Sequence, residues 1–337
     1  MRRLASFAGV IGVALAVASP FLLSGGDVLG SLSDVTVRAV LILTLVATVS
    51  ALAKALKLHI LMRRLGQSLG FFHTLAISLA TDFAFLASPA GAAGYAVNVA
   101  LFRRAGAPWS VATTVVGVDQ ALDLMFFAVA VPIAVFFSLG QLARILPDLS
   151  GSAYLIMLIA FVVTLVLLWQ LRHRLFGSLH RLMVRRPWLR TRQQHLQQFL
   201  HDVRGQLQVL LRGDRLSNSV VLLSTVVQWL LRYGALWFAL SELGHHLPLS
   251  FLLVLQAVVL HVAQWTGIPA GGGGADLGLA VALAPWVSAK VMATVLLLWR
   301  FTTLYFPLLI GMLSLVALFG NWRAARDFDR ATNGETR

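Results

Sequence analysis

Asp119 and Asp123 stand four residues apart, with Gln120 beside the first, in a stretch otherwise made of apolar and small residues. Four residues is close to one helical turn, so both carboxylates share a helix face. Burying two such groups in hydrocarbon costs on the order of several kcal/mol unless they are paired, protonated or wetted. Arg232 and Arg300, each inside another apolar stretch, are the candidate partners. At about 1.5 Å per residue, Asp119 and Arg300 lie roughly 12 to 14 Å from opposite ends of their stretches and can approach at mid-depth. Asp82 and Asp276 are further candidates. Salt bridges between helices account for all of these residues. So does a site in which Arg232 or Arg300 meets an anionic head group while the carboxylates hold a cationic moiety or a coupling proton. A resting ion pair that opens when substrate competes for the arginine is both.

A second constellation is backbone rather than side chain. "SPAGAAGYAVNVALF" begins at Ser88 and "IPAGGGGADLGLAVAL" at Ile268, and a shift of 180 residues brings Pro89, Ala90, Gly91 and Gly94 onto Pro269, Ala270, Gly271 and Gly274. Each copy interrupts an apolar stretch, and lipid cannot satisfy a free backbone N–H or C=O. Irregular backbone at that depth must therefore be buried in protein or line a wet cavity. Half-helices starting at such breaks offer N–H groups and a positive dipole end to an anion, which a lipid phosphate would suit. The candidate binding backbone is Gly91, Gly94 and the run Gly271, Gly272, Gly273 and Gly274. The plainer alternative is that these residues only kink helices or let them pack closely.

Other chemistry has no carrier. The 337 residues include no cysteine, so disulfides, thiolate metal sites and cysteine nucleophiles are excluded. The "GGGG" run has no following Lys-Ser or Lys-Thr, no His-Glu-x-x-His spacing occurs among the nine histidines, and no serine sits in a Gly-x-Ser-x-Gly context. Neither an enzyme, a cofactor nor a metal is expected.

The elements that position these residues are membrane spans. The chain is 58% hydrophobic and only 12% charged, with mean hydropathy +0.83, against about 25% charged in soluble domains. A span needs about 20 mostly apolar residues. Ala5–Leu23, Val37–Leu61, Val111–Leu139, Ser152–Leu171, Ser219–Leu240 and Val291–Phe319 qualify, whereas Phe71–Ala100 and Ser250–Ala284 are broken by proline and glycine. The first stretch follows a basic start, as a secretory signal does, but Pro20 disfavours cleavage and a retained helix is expected.

Lys and Arg collect in alternate loops: Arg2 and Arg3, the Lys54 to Arg64 group, Arg103 and Arg104, the segment 172–215, and the tail 321–337. The positive-inside rule places these on the cytoplasmic side, with both termini. The segment 172–215 carries ten arginines against Asp202 and Asp214. Within it Leu196, Phe199, Leu200, Val203, Leu207, Leu210 and Leu211 mark one helical face, an amphipathic helix for a membrane surface or a partner. Orientation closes only if the two broken stretches enter from opposite sides, each leaving where it entered. That arrangement, two like elements of inverted topology, points to a transporter site near the midplane.

With these motifs in view, the chain resembles the transmembrane flippase-like family that includes the membrane domain of lysylphosphatidylglycerol synthases. The carriers are "SPAGAAG" with "LFRRAGAP" and "VDQALD", then "IPAGGGGADLGL" with "LLLWRFTTLYFPLLIG". The family's second motif usually reads Pro-x-Pro-Gly-Gly-x-Gly with a Glu soon after, where this chain has Ile268 and Asp276; Arg300 matches a later family arginine. In the first motif Tyr95 follows Gly94 in place of an acidic residue. The resemblance implies an all-α, polytopic, single-domain protein over 1–337, with about six full spans and two re-entrant or broken hairpins in an inverted repeat. It implies lipid translocation, or a supporting role beside a lipid- or glycan-modifying enzyme, hopanoid synthesis included; lysyl transfer is not expected. Expected partners are membrane lipids with anionic head groups, with a second copy or a lipid-modifying enzyme as further possibilities, and no nucleic acid. The expected location is a bacterial cytoplasmic (inner) membrane.

Overall fold

The computed structural model describes residues 35–145, 190–265 and 268–334. The expected spans Ala5–Leu23 and Ser152–Leu171, and positions 172–189 of the basic segment, lie outside the described residues. Among the described residues every regular element is helical, and four helices are long and apolar enough to cross a membrane.

Helix α1 (Val37–Arg64) starts where the Thr36 hydroxyl accepts from the Ala39 N–H, a side-chain cap that satisfies one of the free donors of the first turn. It ends at Leu65, with Gly66 left-handed at φ +76°. There Gly66 N–H donates to Arg63 C=O and Gln67 N–H to Met62 C=O, the bond pair of a Schellman stop. Helix α2 (Phe71–Leu86), a single 3₁₀ turn (Pro89–Gly91) and helix α3 (Ala92–Arg104) form the first broken element, followed by α4 (Trp109–Phe136) and the short α5 (Leu139–Ile145).

The second half repeats this plan beyond the two glycine motifs. After the amphipathic α6 (Arg190–Leu211) come α7 (Arg215–Glu242), α8 (Leu249–Trp265), a 3₁₀ turn (Pro269–Gly271), α9 (Gly274–Leu283) and α10 (Ala289–Arg300). A shift of 178 residues carries α1 onto α7 end to end. It also carries Leu65–Gly66 onto Leu243–Gly244, where φ is +79° and the same two stop bonds recur, Gly244 N–H to Ser241 C=O and His245 N–H to Leu240 C=O. The mates run antiparallel against each other. Ser50 at mid-α1 donates to the Gln228 carbonyl at mid-α7, and Arg64 at the end of α1 bonds Asn218 near the start of α7. Antiparallel packing of equivalent helices is the signature of an inverted repeat.

The last span is continuous but not uniform. Directly after Arg300 the backbone widens into a π-turn (Phe301–Tyr305) before α11 (Phe306–Gly334). Helix α11 runs past the expected end at Phe319 and through Gly320, and the following Arg323-Ala324-Ala325-Arg326 are good helix formers with no proline among them. Helices α2 and α11 pack closely over Gly311, where an added Cβ would lie 2.4 Å from the Leu79 carbonyl oxygen.

Most large hydrophobics outside the packed interior are on the perimeter: Leu41, Leu45, Leu124, Val129, Ile133, Leu313 and Val316 are all more than half exposed. In water this surface would be a severe liability; in a bilayer it is the solvated face. Helix α6 is docked along the start of α4, where Gln206 bonds Ser110 and Thr114. Of its predicted apolar face Leu210 is buried, while Leu200, Leu207 and Leu211 stay open.

Candidate functional site

Each broken element is a helical hairpin whose arms pack on each other, and the two 3₁₀ turns also pack against each other. Their backbones match closely. Ala90 (φ 52°, ψ 18°) and Ala270 (φ 54°, ψ 15°) both adopt the left-handed region, which costs a residue with a Cβ about 1–2 kcal/mol. Strain of this kind persists only where the surroundings over-determine it, and it clusters at functional turns. Ala270 packs against the buried pair Leu86 and Leu304, as do Tyr305 and Leu308, so the second turn is wedged between the first hairpin and the π-turn span.

Four of the six glycine N–H groups expected to face an anion have acceptors named within the protein. Gly91 donates to Ser88 C=O, Gly271 to Ile268 C=O, Gly272 to Pro269 C=O, and Gly273 to Asp276 Oδ2 at 3.3 Å. Asp276 thus caps the helix that Gly274 opens, and its carboxylate supplies the negative charge that the dipole end favours. Gly91 and Gly94 allow close approach instead: a Cβ at either would fall within 2.5–2.7 Å of the Phe85 ring.

Arg300 does not meet Asp119. Its Nε and Nη2 donate to the two Asp276 oxygens at 2.6 and 2.9 Å, and Nη1 donates to Ala270 C=O at 3.1 Å. A guanidinium suits this role because its planar fork binds a carboxylate in bidentate fashion and still has a donor for the strained carbonyl. Arg300 and Asp276 are 2% and 0% exposed, so this clasp fixes the second break from inside the protein.

Lys57 takes the place that the arginines were expected to fill. Its Nζ lies 2.6 Å from Asp119 Oδ1 and 2.8 Å from Asp123 Oδ1, while Trp229 Nε1–H donates to the same Asp123 oxygen at 2.9 Å. Gln120 donates to Asp119 Oδ2. Lys57 and Asp119 are 0% and 1% exposed, but Asp123 keeps 13%. One turn earlier on α1, Lys54 pairs with Asp82 of α2. The positive-inside assignment places Lys54 and Lys57 among the rim charges. With α1 continuing to Arg64, Lys57 instead sits about 10 Å inside the basic end. A one-turn spacing of lysines within an apolar span was the available signal.

Arg232 has a different setting. Its guanidinium lies 5.7 Å from the centre of the Trp229 ring, and none of the ion pairs found among the described residues includes it. Trp229 therefore stands between Arg232 and Asp123, touching both. Among the described residues no group of His, Asp and Glu has a metal-binding arrangement.

Comparison with known proteins agrees with this architecture. Residues 9–311 match the family described as the lysylphosphatidylglycerol synthase TM region. Over 272 residues the chain is 24% identical to a UPF0104 membrane protein of Archaeoglobus fulgidus, covering 77% of this chain and 80% of that relative.

Proposed function

The chain belongs to the lysylphosphatidylglycerol synthase TM-region family, a family of multi-pass membrane proteins, and from that premise we propose that it moves an amphipathic lipid or lipid-linked anion between membrane leaflets. The observation that carries this reading is the contact between the two strained Pro-Ala-Gly turns, one from each inverted half. In transporters built on inverted repeats, substrate sits where the halves meet near the midplane, and one half rocks against the other. The arms Phe71–Leu86 and Leu249–Trp265 are 16 and 17 residues long. That is about 25 Å of helix, short of a ~30 Å hydrocarbon core, and supports hairpins that re-enter from opposite sides. In this reading Arg232 receives the anionic group and the Asp119–Lys57–Asp123 cluster orients it or exchanges a proton. The glycine turns and the Arg300–Asp276 clasp form the joint about which the halves move. The membrane is a bacterial cytoplasmic membrane, with the basic segments and both termini inside.

The absence of native cysteine makes a direct test available. Ala90→Cys/Ala270→Cys protein is reconstituted in liposomes, with and without a short bis-maleimide bridge, beside wild type. Fluorescent anionic and zwitterionic lipids with dithionite quenching report leaflet exchange. Exchange above empty liposomes, abolished by the bridge, is the expected outcome. No acceleration by wild type for any head group would refute the translocation reading.

Helix α6 favours a second reading, that of an accessory protein recruiting anionic lipid or a lipid- or glycan-modifying enzyme. Its leucines Leu200, Leu207 and Leu211 are uncovered beside exposed Arg204 and Arg212. On that reading Arg→Gln changes in α6 abolish function in cells while bridging the two turns has no effect.

A further inference from the structure

The 178-residue shift pairs Lys54 with Arg232 and Ser50 with Gln228. All four line one small cavity, which Asp82 and Thr302 of the π-turn help to wall. The cavity therefore lies where the two halves face each other across their common axis, with a cation contributed by each. Its volume is about 40 Å³, room for about three water molecules at roughly 10–15 Å³ apiece.

Its charges do not cancel. Asp82 neutralises Lys54, but the same shift places Leu260 opposite Asp82, so the second half supplies no matching carboxylate. Arg232 is left with the face of Trp229. Lys54 lies ten residues from the end of α1 and Arg232 ten residues from the end of α7, each about 15 Å from its terminus. A cation at that depth is costly without a counter-charge. A second, independent gap adjoins it: Gln228 is 3% exposed and its Oε1 accepts no hydrogen bond, and a buried acceptor without a donor costs about 1–3 kcal/mol. One wall wants an anion, and the other wants a hydrogen-bond donor.

We infer that this cavity is a binding site for a single phosphoryl group, with Arg232 as its principal cation and Lys54 beside it. A P–OH, or a water bridging from the phosphate, donates to Gln228 Oε1. The size admits one tetrahedral oxyanion and leaves the rest of any lipid outside, toward the openings where Lys54 and Asp82 keep 14% and 16% exposure. The π-turn enlarges the backbone at this wall, as such turns often do beside bound groups. This inference deepens the translocation reading and rests on it, by naming where the anionic group stops.

The test is equilibrium binding to the purified full chain in detergent. One arm uses ³²P-labelled short-chain phosphatidate and the other ³²P-labelled orthophosphate, each with wild type, Arg232→Gln, Arg232→Lys and Gln228→Leu. Wild type retains label, Arg232→Gln loses affinity tenfold or more, Arg232→Lys keeps most of it, and Gln228→Leu falls between. Retention of phosphatidate alone identifies a lipid head group as the source; equal retention of orthophosphate identifies free phosphate. If wild type retains neither probe, or if Gln228→Leu and Arg232→Gln both bind like wild type, the site is refuted. Gln228→Leu changes no charge, so it remains informative should Arg232→Gln elute as an aggregate. Binding without leaflet exchange would keep this site and defeat the translocation reading, whereas exchange without binding would do the reverse.

Discussion

Replacing Arg300 by Met removes a cation from the one place where the second break is tied to the rest of the fold. The change deletes two charge-assisted bonds to Asp276 and one to the Ala270 carbonyl. It leaves a carboxylate with 0% exposure stripped of its bidentate guanidinium. Breaking a buried pair from one side costs about 3–5 kcal/mol, because the surviving charge has no counter-ion. The double variant Arg300→Met/Asp276→Leu removes the buried carboxylate as well and restores packing, so it is expected to recover most of that loss. Asp276→Leu alone strands the arginine and costs a comparable amount. Unfolding free energies from SDS titration in mixed micelles close the double-mutant cycle, with an expected coupling of at least about 4 kcal/mol, since each single variant costs about 3–5 and the double well under half of that. A single-variant cost below about 1 kcal/mol, or strictly additive changes, would refute the clasp and return Arg300 to the list of cations free to meet a substrate.

Three further outcomes follow from other contacts. Gly311→Ala places a methyl 2.4 Å from the Leu79 carbonyl oxygen and 2.8 Å from Phe83 Cβ; pushing α2 from α11 is expected to cost about 1–3 kcal/mol and to lower the melting temperature in detergent. Lys57→Met strands Asp119 and Asp123 together and is expected to be less stable than Lys57→Met/Asp119→Asn/Asp123→Asn, an order that thermal unfolding checks directly. Gly213→Ala drives a Cβ into Arg64, whose guanidinium holds the Val209 and Leu210 carbonyls at the end of α6. Faster hydrogen exchange confined to residues 198–211 is the expected readout.

The membrane class, the four described long spans and the two broken elements were legible in the sequence because hydrocarbon imposes a length and a composition on any helix that crosses it. The repeat was visible only at its core. Pro89-Ala90-Gly91 and Pro269-Ala270-Gly271 align at a shift of 180, but α1 and α7 align at 178. The glycine stops Leu65-Gly66 and Leu243-Gly244 carry that second register and escape notice because a Schellman stop needs only one glycine. Ion-pair partners were the least legible. Depth along a helix is linear in residue number and can be read from a sequence, whereas azimuth depends on which neighbour each face packs against. Depth alone allowed Arg300 to meet Asp119; azimuth gave Arg300 to Asp276 and Lys57 to Asp119.

The mismatch of Asp82 with Leu260 bears on the sidedness of the protein. Were the halves identical, exchanging their conformations would turn an inward-open molecule into its outward-open mirror at no net free energy, and the two would be equally populated. A carboxylate present in one half alone removes that degeneracy. On the translocation reading, whichever end state keeps Asp82 on Lys54 and leaves Arg232 in need of a counter-ion is the one that an anionic guest stabilises, by its differential affinity for the two states. On that reading the two-fold protein thereby acquires a resting orientation, and an anionic ligand a means of reversing it.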